Sequence, residues 1–173
     1  LGIFNLTFAV LIRRRFGLFS GVYDILLGLM SVILFYSSVG IPTGLSKFLP
    51  EIGAAAGPQS LRRFLRHAVM VRLLLLGLLL IPLNFFAELI TQRLELGSSG
   101  VTYIRLLSGL AVARAIMGLV VTTFNAFFAQ VWSNLFALAQ AVLELVLVGL
   151  ILWLGYEMEG VMSGLLVSAV AVS

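Results

Sequence analysis

Four ionisable side chains, Asp24, Lys47, Arg114 and Glu144, lie inside or at the ends of long apolar runs. An arginine at the centre of a bilayer costs at least ~2.5 kcal/mol on insertion scales, so a residue of this kind has a partner or a task. Arg114 and Glu144 each fall near the middle of their runs, and adjacent antiparallel helices would bring them to similar depth. Two chemistries follow. Either they form a buried ion pair, or Arg114 lines a cavity and meets an anionic substrate. Asp24 shares a helical stripe with Gly17, Gly21, Gly28 and Ser31, at spacings of 4, 3, 4 and 3. Its carboxyl is expected to face the bundle interior or an aqueous cavity, or else the interface near Arg13, Arg14 and Arg15. Small residues at such spacing also serve close helix packing, and that is the expectation for the glycines.

Covalent chemistry finds no footing. There is no Walker-type loop, no Gly-rich nucleotide fingerprint, no HExxH and no credible Ser/His/Asp set. A few carboxylates and one histidine do not make a hydrolase without a positioned nucleophile. No cysteine is present, so disulfides and thiolate metal sites are excluded. His67 has no second His or Cys at metal-site spacing and reads as a solvated neighbour of the arginines around it. The expectation is a non-enzyme, without cofactor or metal, that moves a solute rather than transforming one.

The elements that must hold these residues follow from composition. The chain is 61% hydrophobic and 10% charged, with a mean hydropathy of +1.16, far from a soluble globular domain. Six apolar segments are read, at 1–12, 16–46, 68–92, 101–128, 131–154 and 160–173. The complete ones are about 24 to 31 residues, enough to cross a ~30 Å hydrocarbon layer with tilt. The alternation of a membrane barrel is absent, so the expected class is all-α: a polytopic transmembrane helical bundle in a single domain, residues 1–173. Both ends lie inside apolar runs, so the first and last spans are expected to be cut pieces of a longer protein.

The net charge of +4 comes mostly from span flanks, where cations meet headgroups; nucleic acid is not an expected partner. Residues 47–67 read as the one long polar loop, broken at Gly57-Pro58, with Ser60 as N-cap of a helix from Leu61. Arg62, Arg63, Arg66 and Arg72 then form a basic, amphipathic collar leading into the third span. Pro82 with Asn84 should kink or loosen that span, and Glu88, Arg93 and Glu95 mark its exit. On the fourth segment Ser108, Ala111, Arg114, Gly118, Thr122 and Asn125 recur every three or four residues; on the fifth, Ala137, Ala141 and Glu144 share a face. The aromatic cluster 124–132 reads as an interface anchor, and Gly160 with Gly164 as a packing pair. Orientation stays open, because each side carries five basic residues.

Around 15–53 the chain resembles the polysaccharide-biosynthesis branch of the MOP (MATE-like) exporter superfamily, the Wzx-type oligosaccharide flippases. The resemblance lies in Phe16-Gly17-Leu18-Phe19, then Gly40, Pro42, Thr43, Gly44, Lys47 and Glu51. An Arg-rich start to the third span and the glycines 155 and 160 look similar too. Arg13-Arg14-Arg15 departs from the family, where a Gly-Pro-acidic turn is more usual, and Lys47 stands where relatives more often carry Arg. The resemblance implies one six-helix bundle of a two-bundle transporter in the cytoplasmic membrane of a prokaryote, with the 47–67 loop on the cytoplasmic side. It implies a lipid-linked oligosaccharide on polyprenyl pyrophosphate as substrate. Arg114 and Lys47 would be its cationic contacts, and Asp24 or Glu144 an ion-pair carboxylate or a site coupling transport to H+ or Na+. Polysaccharide polymerase and glycosyltransferases are the implied partners. A cation-coupled multidrug exporter of the same superfamily, with acidic cavity residues dominant, and a non-transporting membrane scaffold are the alternatives.

Overall fold

In lipid a backbone satisfies its own polar groups only by coiling or by closing a barrel. The computed structural model describes residues 20–55, 57–127, 129–155 and 158–172, and among these there are helices and turns but no strand. Seven helices follow in order: α1 (Ser20–Ser37), α2 (Ile41–Ala55), α3 (Gly57–Phe85), α4 (Ala87–Arg93), α5 (Gly100–Ala126), α6 (Gln130–Trp153) and α7 (Met158–Val172). Three of them, α3, α5 and α6, are long and apolar enough to cross a membrane, or four if α1 and α2 count as one bent span. The six expected spans are therefore seen only in part. The segment 1–12 lies outside the described residues, and α7 is a shorter apolar helix.

α5 is the hub and touches all six other helices. Along its apolar stretch 44% is buried, against 17% for α3 and 11% for α6, which places it at the centre. A helix enclosed on every side needs no amphipathic face, and small side chains let its neighbours approach: Ala111, Ala113 and Ala115 are all buried. The main core gathers Leu26, Leu76, Ile104, Leu107, Leu110 and Met162 from four helices. A second cluster joins Leu45 and Leu49 of α2 to Leu119 and Ala126 of α5, with Leu61, Phe64 and Leu65 of α3 against it.

Several expectations are corrected. The apolar run 16–46 does not make one straight helix: α1 ends at Ser37, Gly40 takes φ +74°, and α2 departs at 43°. A glycine in the left-handed region followed closely by a proline is a natural helix stop, and Pro42 falls in the first turn of α2, where its missing N–H costs nothing. The hydroxyls of Ser37 and Ser38 donate back to the carbonyls of Leu34 and Phe35 at this break.

The polar stretch 47–67 is helical rather than a loop, apart from residue 56, which lies outside the described residues. Its apolar side chains at 49, 61, 64 and 65 continue a stripe with Leu45 and Ala68 on either side, and packing that stripe on α5 stabilises helix where composition alone suggests loop. Ser60 is accordingly inside α3, which starts at Gly57 with φ +74° and holds Pro58 in its first turn. α3 continues through Pro82 to Phe85, and the interruption falls at Phe86 instead.

The glycine stripe of the first long run is also turned the other way. On α1 the buried face is Tyr23, Leu26, Met30 and Ile33, while a Cβ placed on Gly21 or Gly28 would meet nothing within 4 Å. Larger apolar side chains packed against α3 and α5 make more van der Waals contacts than glycines would, so that face wins. Gly17 lies outside the described residues. Gly164, by contrast, packs as expected: a Cβ there would run into the Ile151 side chain of α6.

Candidate functional site

Arg114 lies fourteen residues into α5, about 21 Å from its start at 1.5 Å per residue, and so near mid-span. Its Nη2 donates to Glu144 Oε1 of α6 at 2.6 Å. The same oxygen accepts Gln140 Nε2 at 2.7 Å, from one turn earlier on α6. The side chains of Arg114 and Glu144 are 30% and 16% exposed, so the pair is neither sealed nor on the surface. Arg114 Nε is buried without a hydrogen-bond partner. Of the two chemistries open for Arg114 in the sequence, the ion pair is the one the geometry displays. A charged pair stripped of water needs further hydrogen bonds to offset its desolvation, and Gln140 supplies one.

The pair belongs to a polar seam. The residues of α5 that recur every three or four positions face α3 and α6 in turn. Asn84 Nδ2 of α3 donates to Ser108 Oγ at 2.8 Å, and Ser133 Oγ of α6 donates to Asn125 Oδ1 at 2.7 Å. Between them Ala111 is fully buried, and Thr122 donates to its own helix at Gly118 O. Gly118 lies against the guanidinium of Arg72. The Asn84–Ser108 and Arg72–Gly118 contacts fix α3 antiparallel to α5, since residue numbers rise on one helix as they fall on the other.

Lys47 and Asp24 are placed apart from this pair. Lys47 is exposed on α2, its Nζ 5.3 Å from the ring of its neighbour Phe48, on the side of the helix away from buried Leu45 and Leu49. Asp24 is exposed on α1. The buried residue next to it, Tyr23, lies within electrostatic reach of Glu144 and Arg114 as well as Asp24. Among the described residues no group of His, Cys, Asp and Glu could hold a metal ion.

Three contributors escape a reading by composition. Gln140 is buried one helical turn before Glu144, a spacing visible in the sequence once the carboxylate is singled out. Tyr23 sits in the apolar stripe of α1 and carries no separate signal. By sequence proximity Arg72 belongs with the basic collar, but only the other members, Arg62, Arg63, Arg66 and His67, are exposed. Arg72 is buried, because the series Leu61, Leu65, Ala68, Arg72, Leu76 runs along the face of α3 that meets α5. His67 remains a collar residue, with Nδ1–H donating to Arg63 O at 2.7 Å.

Comparison with protein-family models, with curated proteins and with solved structures found no match for this chain. The class that the helices and their apolar surface define is a multi-pass α-helical membrane protein.

Proposed function

We propose that the chain is part of a membrane transporter that moves an anionic lipid-linked oligosaccharide, carried on polyprenyl pyrophosphate, across the cytoplasmic membrane of a prokaryote. In this reading it forms one six-span bundle of a two-bundle protein, and the bundles rock about a shared cavity. The observation that supports it is the Arg114–Glu144–Gln140 constellation: a partly accessible ion pair near mid-span between two membrane-length helices. A scaffold needs no charge there, since apolar side chains of similar volume hold helices together as well or better. A transporter does, because a pair with two arrangements can exchange partners. Protonating Glu144, or drawing an anionic phosphate to Arg114, would release one member. The family resemblance at residues 15–53 supplies the substrate class. Lys47, exposed on α2, would then meet the substrate at the mouth rather than beside Arg114.

The test is flipping by the full-length protein in proteoliposomes, using a fluorescent polyprenyl-pyrophosphate sugar. Transport by the wild type, and its loss in Glu144→Gln and Arg114→Gln variants that still insert and elute as folded protein, is the expected outcome. Normal flipping by both variants removes the pair from the mechanism, and no flipping of any lipid-linked sugar by the wild type removes the function.

A further inference from the structure

Arg72 carries the largest unexplained charge in the bundle. It is 6% exposed, on the inward stripe of α3 between Ala68 and Leu76. Its guanidinium lies over Gly118 of α5, where a Cβ would approach Nη2 to 3.4 Å and Nη1 to 3.5 Å. Among the described residues no hydrogen bond or ion pair reaches this guanidinium, and its Nε is buried with no partner. The carboxylate on α6, Glu144, is already engaged by Arg114 and Gln140. A lysine could relieve the situation by losing its proton, but a guanidinium stays charged in proteins. The seam thus holds two arginines and one carboxylate, and the cation left over is fixed, buried and without an acceptor.

We propose that the Arg72 guanidinium, seated over Gly118 between α3 and α5, is a binding site for a phosphate group. Three features select this chemistry. The planar fork offers parallel N–H donors that match two oxygens of one phosphate. Gly118 lays bare backbone against that fork, at a spacing where a Cβ would make ordinary contact with both terminal nitrogens. The approach is basic as well. Arg62, Arg63, Arg66 and His67 are exposed on the same helix, and such cations mark the headgroup level. Arg66 is six residues from Arg72, about 9 Å along the axis, and Cα–Cβ bonds tilt toward the helix N-terminus, so the Arg72 stem leans toward those cations. A phosphate gathered by the exposed arginines would find the N–H donors of Arg72 about two turns further along the helix. The phosphate of a lipid headgroup and a free phosphate ion share this chemistry. The site stands on Arg72 and Gly118 and does not depend on the transport reading, so each can fail without the other.

Binding is measured on the full chain in an uncharged detergent, by thermal shift and calorimetry, with dioctanoyl phosphatidic acid, inorganic phosphate and dioctanoylglycerol as probes. The expected result is saturable binding of phosphatidic acid, weakened at least tenfold by Arg72→Gln and partly kept by Arg72→Lys. Arg66→Gln should change it less than threefold. Binding of inorganic phosphate with equal affinity and the same dependence on Arg72 supports the site and identifies a soluble source. The proposal is overturned if neither phosphate probe binds the wild type, if dioctanoylglycerol binds as well as phosphatidic acid, or if the Arg72 variants bind like wild type. Should Arg72→Gln fail to fold, Arg72→Lys, which keeps the charge without the planar fork, and Arg72→Met, which keeps the apolar stem without the charge, decide the matter by the same criteria.

Discussion

Breaking the Arg114–Glu144 pair from one side should be far more damaging than removing both partners. Glu144→Leu leaves the Arg114 guanidinium near mid-span with no acceptor, since its Nη2 donates to Glu144 at 2.6 Å and its Nε already has no partner. Removing one member of a fully buried pair costs about 3–5 kcal/mol. Here the side chains are 30% and 16% exposed, so the pair is not wholly enclosed by protein and the cost should be lower. A cost of about 2 kcal/mol is expected, allowing for the screening that accompanies partial exposure. That is roughly a 30-fold change in the folded-to-unfolded ratio, at about 1.4 kcal/mol per tenfold. Arg114→Leu should cost about 1–2 kcal/mol, because Glu144 keeps the Gln140 donor at 2.7 Å. The double variant Arg114→Leu/Glu144→Leu replaces two charges with apolar volume and should be near neutral, or more stable than either single change. Equilibrium unfolding in mixed detergent micelles, read through the fluorescence of Trp132 and Trp153, gives all three values and closes a double-mutant cycle. The expected coupling is about 2 kcal/mol or more. Additive costs, within about 0.5 kcal/mol, would show that the two residues do not depend on one another and would refute the reasoning.

Gly100→Ala should destabilise by about 1–3 kcal/mol, because its Cβ would run into both the Thr91 side chain and the Leu96 Cβ, and Thr91→Ala should restore only the Thr91 part of the loss in the same unfolding measurement. Asn84→Leu removes the bond to Ser108 and should cost about 0.6–1.7 kcal/mol, the range for interhelical hydrogen bonds in bilayers; a loss above that would mean that Asn84 does more than tie α3 to α5. Gly28→Leu should be tolerated within about 0.5 kcal/mol, since nothing lies within 4 Å of its added carbon. A large loss there would show that the glycine face of α1 packs after all.

The long helices were legible because uninterrupted apolar runs have one structural outcome in a membrane: the expected segments 101–128 and 131–154 became α5 and α6 with ends shifted by one or two residues. What misled was any place where hydropathy and helical phase disagree. Residues 47–67 look like a loop by polarity, yet their leucines and phenylalanine keep a helical repeat, and repeat rather than polarity decides whether such a stretch coils against a neighbour. Arg72 failed for the same reason: grouped by proximity with exposed arginines, it belongs by phase with Leu65, Ala68 and Leu76. On α1 two stripes of equal periodicity compete, one of glycines and one of large apolar residues, and no sequence rule states which of them finds the bundle. The depth match of Arg114 and Glu144 could be read in advance. Their bond, and the part of Gln140 in it, depends on helix rotation, which tertiary packing alone sets.

The position of α5 has a mechanical consequence. Every other described helix leans on it, so it stands as an axle among six spokes, and a turn of α5 alters all six contacts. A one-residue change in its rotation would swing Ser108, Arg114 and Asn125 away from their partners together. A turn of α5 would therefore disturb all three polar contacts of the seam at once, from Ser108 near one end to Asn125 near the other.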